Sequence, residues 1–146
     1  MTGAAAERLI YLCDTLTPLL LAMDEESFRA KEHPGKWSRL QIIGHLLDSA
    51  ANNHQRFVRV QFEDNPEISY NPDLWNAAGH YQSMPPAAVV AFWNLYNRHL
   101  AALILRIPAA DLQRTCIAGE PVTLAFLIED YITHLEHHLH QVIDYQ

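Results

Sequence analysis

Four long stretches of helical periodicity, separated by connections rich in proline, glycine and polar residues, constrain this chain most. In the first, Leu9, Leu12, Leu16, Leu19, Leu20 and Met23 recur at helical spacing over about residues 4–23, with Pro18 predicting a kink or a break. Residues 24–37 read as a polar connection containing Pro34-Gly35. The second stretch has the sharpest start. Ser38 and Gln41 have capping-box spacing, and Trp37 and Ile42 occupy the positions of a hydrophobic staple. That helix is expected to run to about Phe62.

A connection of about 20 residues, 63–84, is long for a compact domain and predicts one helical turn near Pro72–Ala78. The third helix starts at Pro85-Pro86 and stops before Pro108. A turn at 108–112 and an irregular segment ending at Gly119 follow, and Thr123 is the expected N-cap of a fourth helix running to about Tyr145. The expectation is an all-α four-helix bundle in a single domain spanning residues 1–146.

Composition removes several function classes. A net charge of −7 with no basic cluster argues against nucleic acid and against an anionic membrane surface. No apolar run approaches the roughly 20 residues needed to span a bilayer. The N-terminus lacks a basic n-region, and Asp14 interrupts its apolar stretch, unlike a signal peptide. Cys13 and Cys116, without CxxC spacing, form no disulfide framework and suggest a reducing cytoplasm. Both read as buried small hydrophobes.

The chemistry concentrates in histidine. Four of the nine histidines, His134, His137, His138 and His140, fall in the fourth helix, where a solvated cationic helix end is one reading. The apolar stripe Leu124, Leu127, Ile128, Tyr131, Leu135 argues for another, because His134 and His138 lie on or beside it, one turn apart, and point inward. Unpaired buried polar groups cost on the order of 1–3 kcal/mol each, and a shared metal ion would satisfy both. A third imidazole from another helix would complete a set with open coordination positions, and His45 lies in the second turn of the second helix.

The stretches Lys36-Trp37-Ser38, Ile42-Ile43-Gly44-His45-Leu46-Leu47-Asp48-Ser49-Ala50, Asn52-Asn53-His54-Gln55-Arg56-Phe57 and Tyr131…His134…His137-His138-Leu139…Gln141 resemble the DinB superfamily, and within it the YfiT-like metal-dependent hydrolases. The resemblance covers nearly the whole chain. It implies a bundle that is often a homodimer, and one divalent metal held by His45, His134 and His138. It also implies an enzyme that acts on a small molecule, either as a hydrolase or as a thiol S-transferase using bacillithiol, mycothiol or glutathione. The rival is a non-enzymatic, dimeric metal-binding stress protein.

Three imidazoles suit Zn, Ni or Fe(II). Zinc would lower a bound water's pKa to about 7 or deprotonate a thiol. Leu135 follows His134, so the glutamate of a HExxH zinc protease is missing. Proton competition is expected below about pH 6, given the ordinary histidine value of about 6.5.

Around this set, Asp48 and Arg56 are the candidate catalytic residues. Asp48, three residues from His45, can orient it or act as a base. Ser49 and Asn52 are candidates for binding a cofactor, and with Arg56 they share the His45 face and can line a groove. For Asn52 an interhelical hydrogen bond is the competing reading. Asp130 and Gln141 are candidate partners for the second ring nitrogens of His134 and His138, with solvent exposure the alternative for Asp130. Tyr70 and Trp75 can cover the site, a core role being favoured for Trp75. Arg56, Arg59 and Arg98 are the cations expected near the cleft mouth.

Overall fold

In a computed structural model describing Met1–Gln146, four long helices carry the fold: α1 (Thr2–Ala22), α3 (Arg39–Arg59), α5 (Pro86–Arg106) and α6 (Leu124–Val142). Two short ones, α2 (Glu25–Arg29) and α4 (Pro72–Gly79), sit in the connections. Helix α1 lies along α5, and α3 lies against both α5 and α6. The seam between α3 and α6 holds His45, His134 and His138.

Each long helix buries one stripe. Leu9, Leu12, Leu16 and Leu20 of α1 meet Val90, Trp93, Leu100 and Ile104 of α5, all at or near zero exposure. Tyr131 of α6 places its ring edge against Phe57 of α3, with centroids 5.8 Å apart, and donates its hydroxyl to Asn97 Oδ1 at 2.5 Å. Cys13 and Cys116 are both buried and unpaired. No helix is long and apolar enough to cross a membrane.

The helix starts follow their capping residues. Ser38 Oγ accepts from the Gln41 amide at 3.1 Å and Gln41 Oε1 accepts from the Ser38 amide at 2.9 Å, completing the box. Ser38 also donates to Gln82 Oε1 at 2.6 Å, which ties the start of α3 to the connection before α5. Asn71 caps α4 through Leu74, Pro72 takes its first position, and Thr123 caps α6 through Phe126.

Five expectations are corrected. Helix α1 runs through Pro18 to Ala22, because Pro18 and Asp14, whose carbonyl loses its partner, lie on the exposed face where water serves. Residues 24–37 are not wholly an irregular connection: Asp24 caps the single turn and a half of α2, which sinks Phe28 to 1% exposure. Helices α3 and α6 end at Arg59 and Val142 rather than near Phe62 and Tyr145. The segment before Gly119 is not irregular but half of a hairpin, β1 (Thr115–Ala118) pairing antiparallel with β2 (Glu120–Thr123) in the register Thr115↔Thr123. Gly119 supplies the positive φ of its turn, at 81°. A parallel bridge from Ile117 to Glu67 then fastens the long connection to this hairpin.

Removing the Ser38 hydroxyl breaks the capping bond and leaves the half-buried Gln82 Oε1 without its partner. Ser38→Ala is therefore expected to cost about 1–2 kcal/mol, the upper part of the range for cap removal. Urea denaturation midpoints check this, and an unchanged midpoint would show that the cap contributes nothing.

Candidate metal centre

His45 reaches the α3–α6 seam from the second turn of α3, and His134 and His138 reach it from one face of α6. His45 is 3% exposed and the other two are half-buried. One ring nitrogen from each lies within 4.8 Å of the others. The rings pack edge to face, with centroids 4.6–4.9 Å apart. His45 Nε2 and His134 Nε2 are 3.1 Å apart. Two nitrogens at about 2.0–2.1 Å from one tetrahedral zinc-like ion stand roughly 3.3 Å from each other, so this pair already has the required spacing.

The donor chemistry fits as well. Gln141 Oε1 is acceptor-only and lies 2.9 Å from His138 Nδ1, so that nitrogen carries the proton and His138 Nε2 keeps its lone pair. Burial pushes His45 down to about 4, with His134 and His138 adding to the fall. Burial pushes His134 down to about 4, with His138 next and Asp130 opposing. His138 is also lowered by burial, against the Gln141 hydrogen bond. All three are therefore neutral, ligand-ready imidazoles near pH 7. Proton competition sets in at lower pH than the ordinary histidine value implies.

A cavity of about 470 Å³ opens beside this cluster. Trp37, Ile42, His138 and Gln141 line it, and Lys36 and Arg39 bring cations to it, with Glu32 the one acid. Trp37 stands 4.9 Å from the His45 ring, centroid to centroid. Its staple partner Ile42 shares the cavity wall, so the start of α3 and the wall of the cavity are one structure. Arg39 donates to the carbonyls of Val142 and Ser27 and meets no carboxylate.

Other candidates lie elsewhere. Asp48 accepts from Tyr81 Oη at 2.5 Å and lines a second cavity, of about 540 Å³, with Leu74, Trp75 and Tyr81. Its Oδ2 is buried without a partner, as is His45 Nδ1. Ser49 and Asn52 are buried and engaged within α3: Asn53 donates to Ser49, and Asn52 donates to the Asp48 carbonyl rather than across helices. Arg56 donates to the Ile68 carbonyl and to Asn53, holding the long connection. Arg59 pairs with Glu63 and Arg98 with Asp14. None of these lines the cavity beside His138. Asp130 is exposed and bonds to no histidine. Trp75 is 40% exposed and packs on Tyr70 rather than in the core.

The sequence reading missed Lys36, Arg39 and Tyr81. Tyr81 had a signal in Gly44, a glycine inside a helix that costs about 1 kcal/mol against alanine unless something packs close. A Cβ at Gly44 would overlap the Tyr81 ring, and one at Gly79 would stand 2.8 Å from Tyr81 Cε2.

Comparison with known proteins agrees with this architecture. The DinB superfamily model matches residues 9–142, and the chain belongs to that superfamily. A Bacillus licheniformis protein provisionally named a metal-dependent hydrolase is 25% identical over 121 residues, covering 80% of this chain and 69% of its own. A Bacillus cereus protein of the same provisional name is 26% identical over 130 residues, covering 87% and 75%. Among solved structures, YfiT from Bacillus subtilis, provisionally described as a metal-dependent hydrolase with an unusual four-helix-bundle topology, superposes with a TM-score of 0.86 at 21% identity. That match covers 97% of this chain and 83% of YfiT, and it establishes the fold.

The buried neutral imidazoles fix a pH dependence. Their folded-state values lie below those of the unfolded chain, so the folded state binds fewer protons between about pH 6.5 and pH 4. Their contribution is complete above about pH 6.5 and is lost as pH falls toward 4. Chelator-treated protein should show urea midpoints that fall across this window, and fall less steeply in His134→Gln. Equal slopes in the two proteins would mean that His134 is not held neutral by the fold.

Proposed function

We propose that this chain is a divalent-metal-dependent enzyme in which His45, His134 and His138 hold the ion and the cavity beside His138 receives a small electrophilic substrate. The observation that carries the reading is the convergence of three neutral imidazoles from two helices, one of which, His138, lines an accessible cavity. A purely structural metal site is closed, whereas a reactive one keeps a coordination position facing a cavity. This favours an enzyme over a non-enzymatic metal-binding stress protein.

A divalent ion held here supplies Lewis acidity, lowering the pKa of a water or thiol at the site. The protein's own groups do the rest. Gln141 holds the proton of His138 on Nδ1 and so keeps Nε2 turned to the cluster. Trp37 offers a flat apolar wall beside His45. Lys36 and Arg39 favour a reactant that carries an acidic group, on a chain whose overall charge is −7. A low-molecular-weight thiol with carboxylates meets that description, and thiol transfer is the first reading. Hydrolysis, the provisional name of the relatives, is the second.

Two measurements test this. Elemental analysis should find about one zinc, nickel or iron per wild-type chain after loading, and a loss in both His134→Ala and His138→Ala. Unchanged metal content in both variants would refute ligation. Metal-loaded protein offered glutathione with a chromogenic aryl halide, or a nitrophenyl ester with no thiol, separates transfer from hydrolysis. Where the substrate is acidic, Lys36→Ala should raise KM about two- to fivefold, the worth of an exposed charge, with kcat little changed.

A further inference from the structure

We infer that Asp48, held in place by Tyr81, is the positioning residue that fixes the ring proton and orientation of His45 for metal binding. The inference rests on the metal reading above. His45 Nε2 and His134 Nε2 face each other at 3.1 Å, a spacing at which either a ring proton or a metal ion must lie between the two lone pairs. For both to act as ligands, both must be bare. A neutral imidazole has one N–H, so the His45 proton must then sit on Nδ1.

His45 is 3% exposed, and its Nδ1 is buried with no partner. Water does not reach that atom, so the protein must supply the acceptor. Only four buried side-chain polar atoms in the chain lack a partner, on Thr17, His45, Asp48 and Trp93. Two of them, His45 Nδ1 and Asp48 Oδ2, are three residues apart on α3. Helical side chains lean toward the preceding turn, which for Asp48 is the turn holding Gly44 and His45. A turn of the His45 ring toward Asp48 would join the two and satisfy both.

The other groups around the cluster are committed elsewhere. Gln141 serves His138, and Asp130 is exposed on α6. Asp48 Oδ1 is fixed by the Tyr81 hydroxyl at 2.5 Å. The Tyr81 ring lies on the bare backbone of Gly44 and against Gly79. The two glycines therefore act through Tyr81 and Asp48 on His45, from outside the cavity that faces substrate.

The test combines zinc affinity, by chelator competition, with proton–nitrogen correlation spectra of the histidine rings. In zinc-loaded wild type the His45 proton should be on Nδ1 and exchange slowly with solvent. Asp48→Ala should weaken zinc binding about 10- to 100-fold, the usual effect of removing such a partner, and speed that exchange. Asp48→Asn, which keeps an acceptor, should recover part of the loss. Tyr81→Phe should weaken binding by less, and melting of the zinc-free proteins reports any general loss of fold. Zinc affinity within twofold of wild type in Asp48→Ala and Tyr81→Phe, or a His45 proton that exchanges as fast as an exposed imidazole in wild type, overturns the positioning role alone. Failure of the wild type to take up zinc overturns both this role and the metal reading.

Discussion

The seam between α3 and α6 is closed by three imidazoles where a bundle of this size would ordinarily place aliphatic side chains. Neutral rings in edge-to-face contact can fill that space, but each brings polar nitrogens that the core must satisfy. Much of the local structure follows from that demand. Gln141 takes one nitrogen, two nitrogens share a contact of 3.1 Å, and Trp37 covers the His45 ring. The arrangement is stable only while the rings stay neutral, and burial ensures this by pushing His45 and His134 down to about 4. The property that suits the cluster to a metal is the same one that lets it exist inside the protein.

The connections are therefore as much part of the site as the helices. The Ser38 cap sets the first turn of α3 and, through Gln82, the segment that carries Tyr81. Tyr81 can lie on α3 only because Gly44 has no side chain. One turn of α3 thus has His45 facing α6 and Gly44 facing the long connection, with Asp48 following one turn later. The length of that connection has a structural reason: it carries α4 and Tyr81 across α3, and its bridge to Ile117 anchors the far end.

The legibility of the sequence varied with the range of the interactions involved. The four long helices, the Ser38 box, the helical turn near Pro72 and the inward face of His134 and His138 are all written in spacing, which depends on neighbours within one or two turns. The grouping of His45 with the other two is a contact across 89 positions, and no periodicity encodes it; resemblance to a family supplied it. Spacing places Arg56 and Asn52 on the His45 face of the helix but does not show what covers that face. Arg56 belongs to the long connection and Asn52 to its own helix. The hairpin escaped because four-residue strands with Pro121 in one of them carry no alternation to detect.

Cavity charge was the least legible feature, and it bears most on substrate. Lys36 and Arg39 flank a capping residue and look like ordinary surface cations beside Pro34-Gly35 and Ser38. Folding α6 back along α3 brings His138 and Gln141 to the same cavity and leaves the two cations without a carboxylate of their own, apart from Glu32 on the wall. Arg39 spends its hydrogen bonds on main-chain carbonyls, which fixes its direction without neutralising its charge. A positive, tryptophan-walled cavity beside neutral imidazoles, on a protein of charge −7, is a local reversal of the surface field. For the acidic reactant proposed above, such a reversal would favour approach to the cavity before any ligand contact is made.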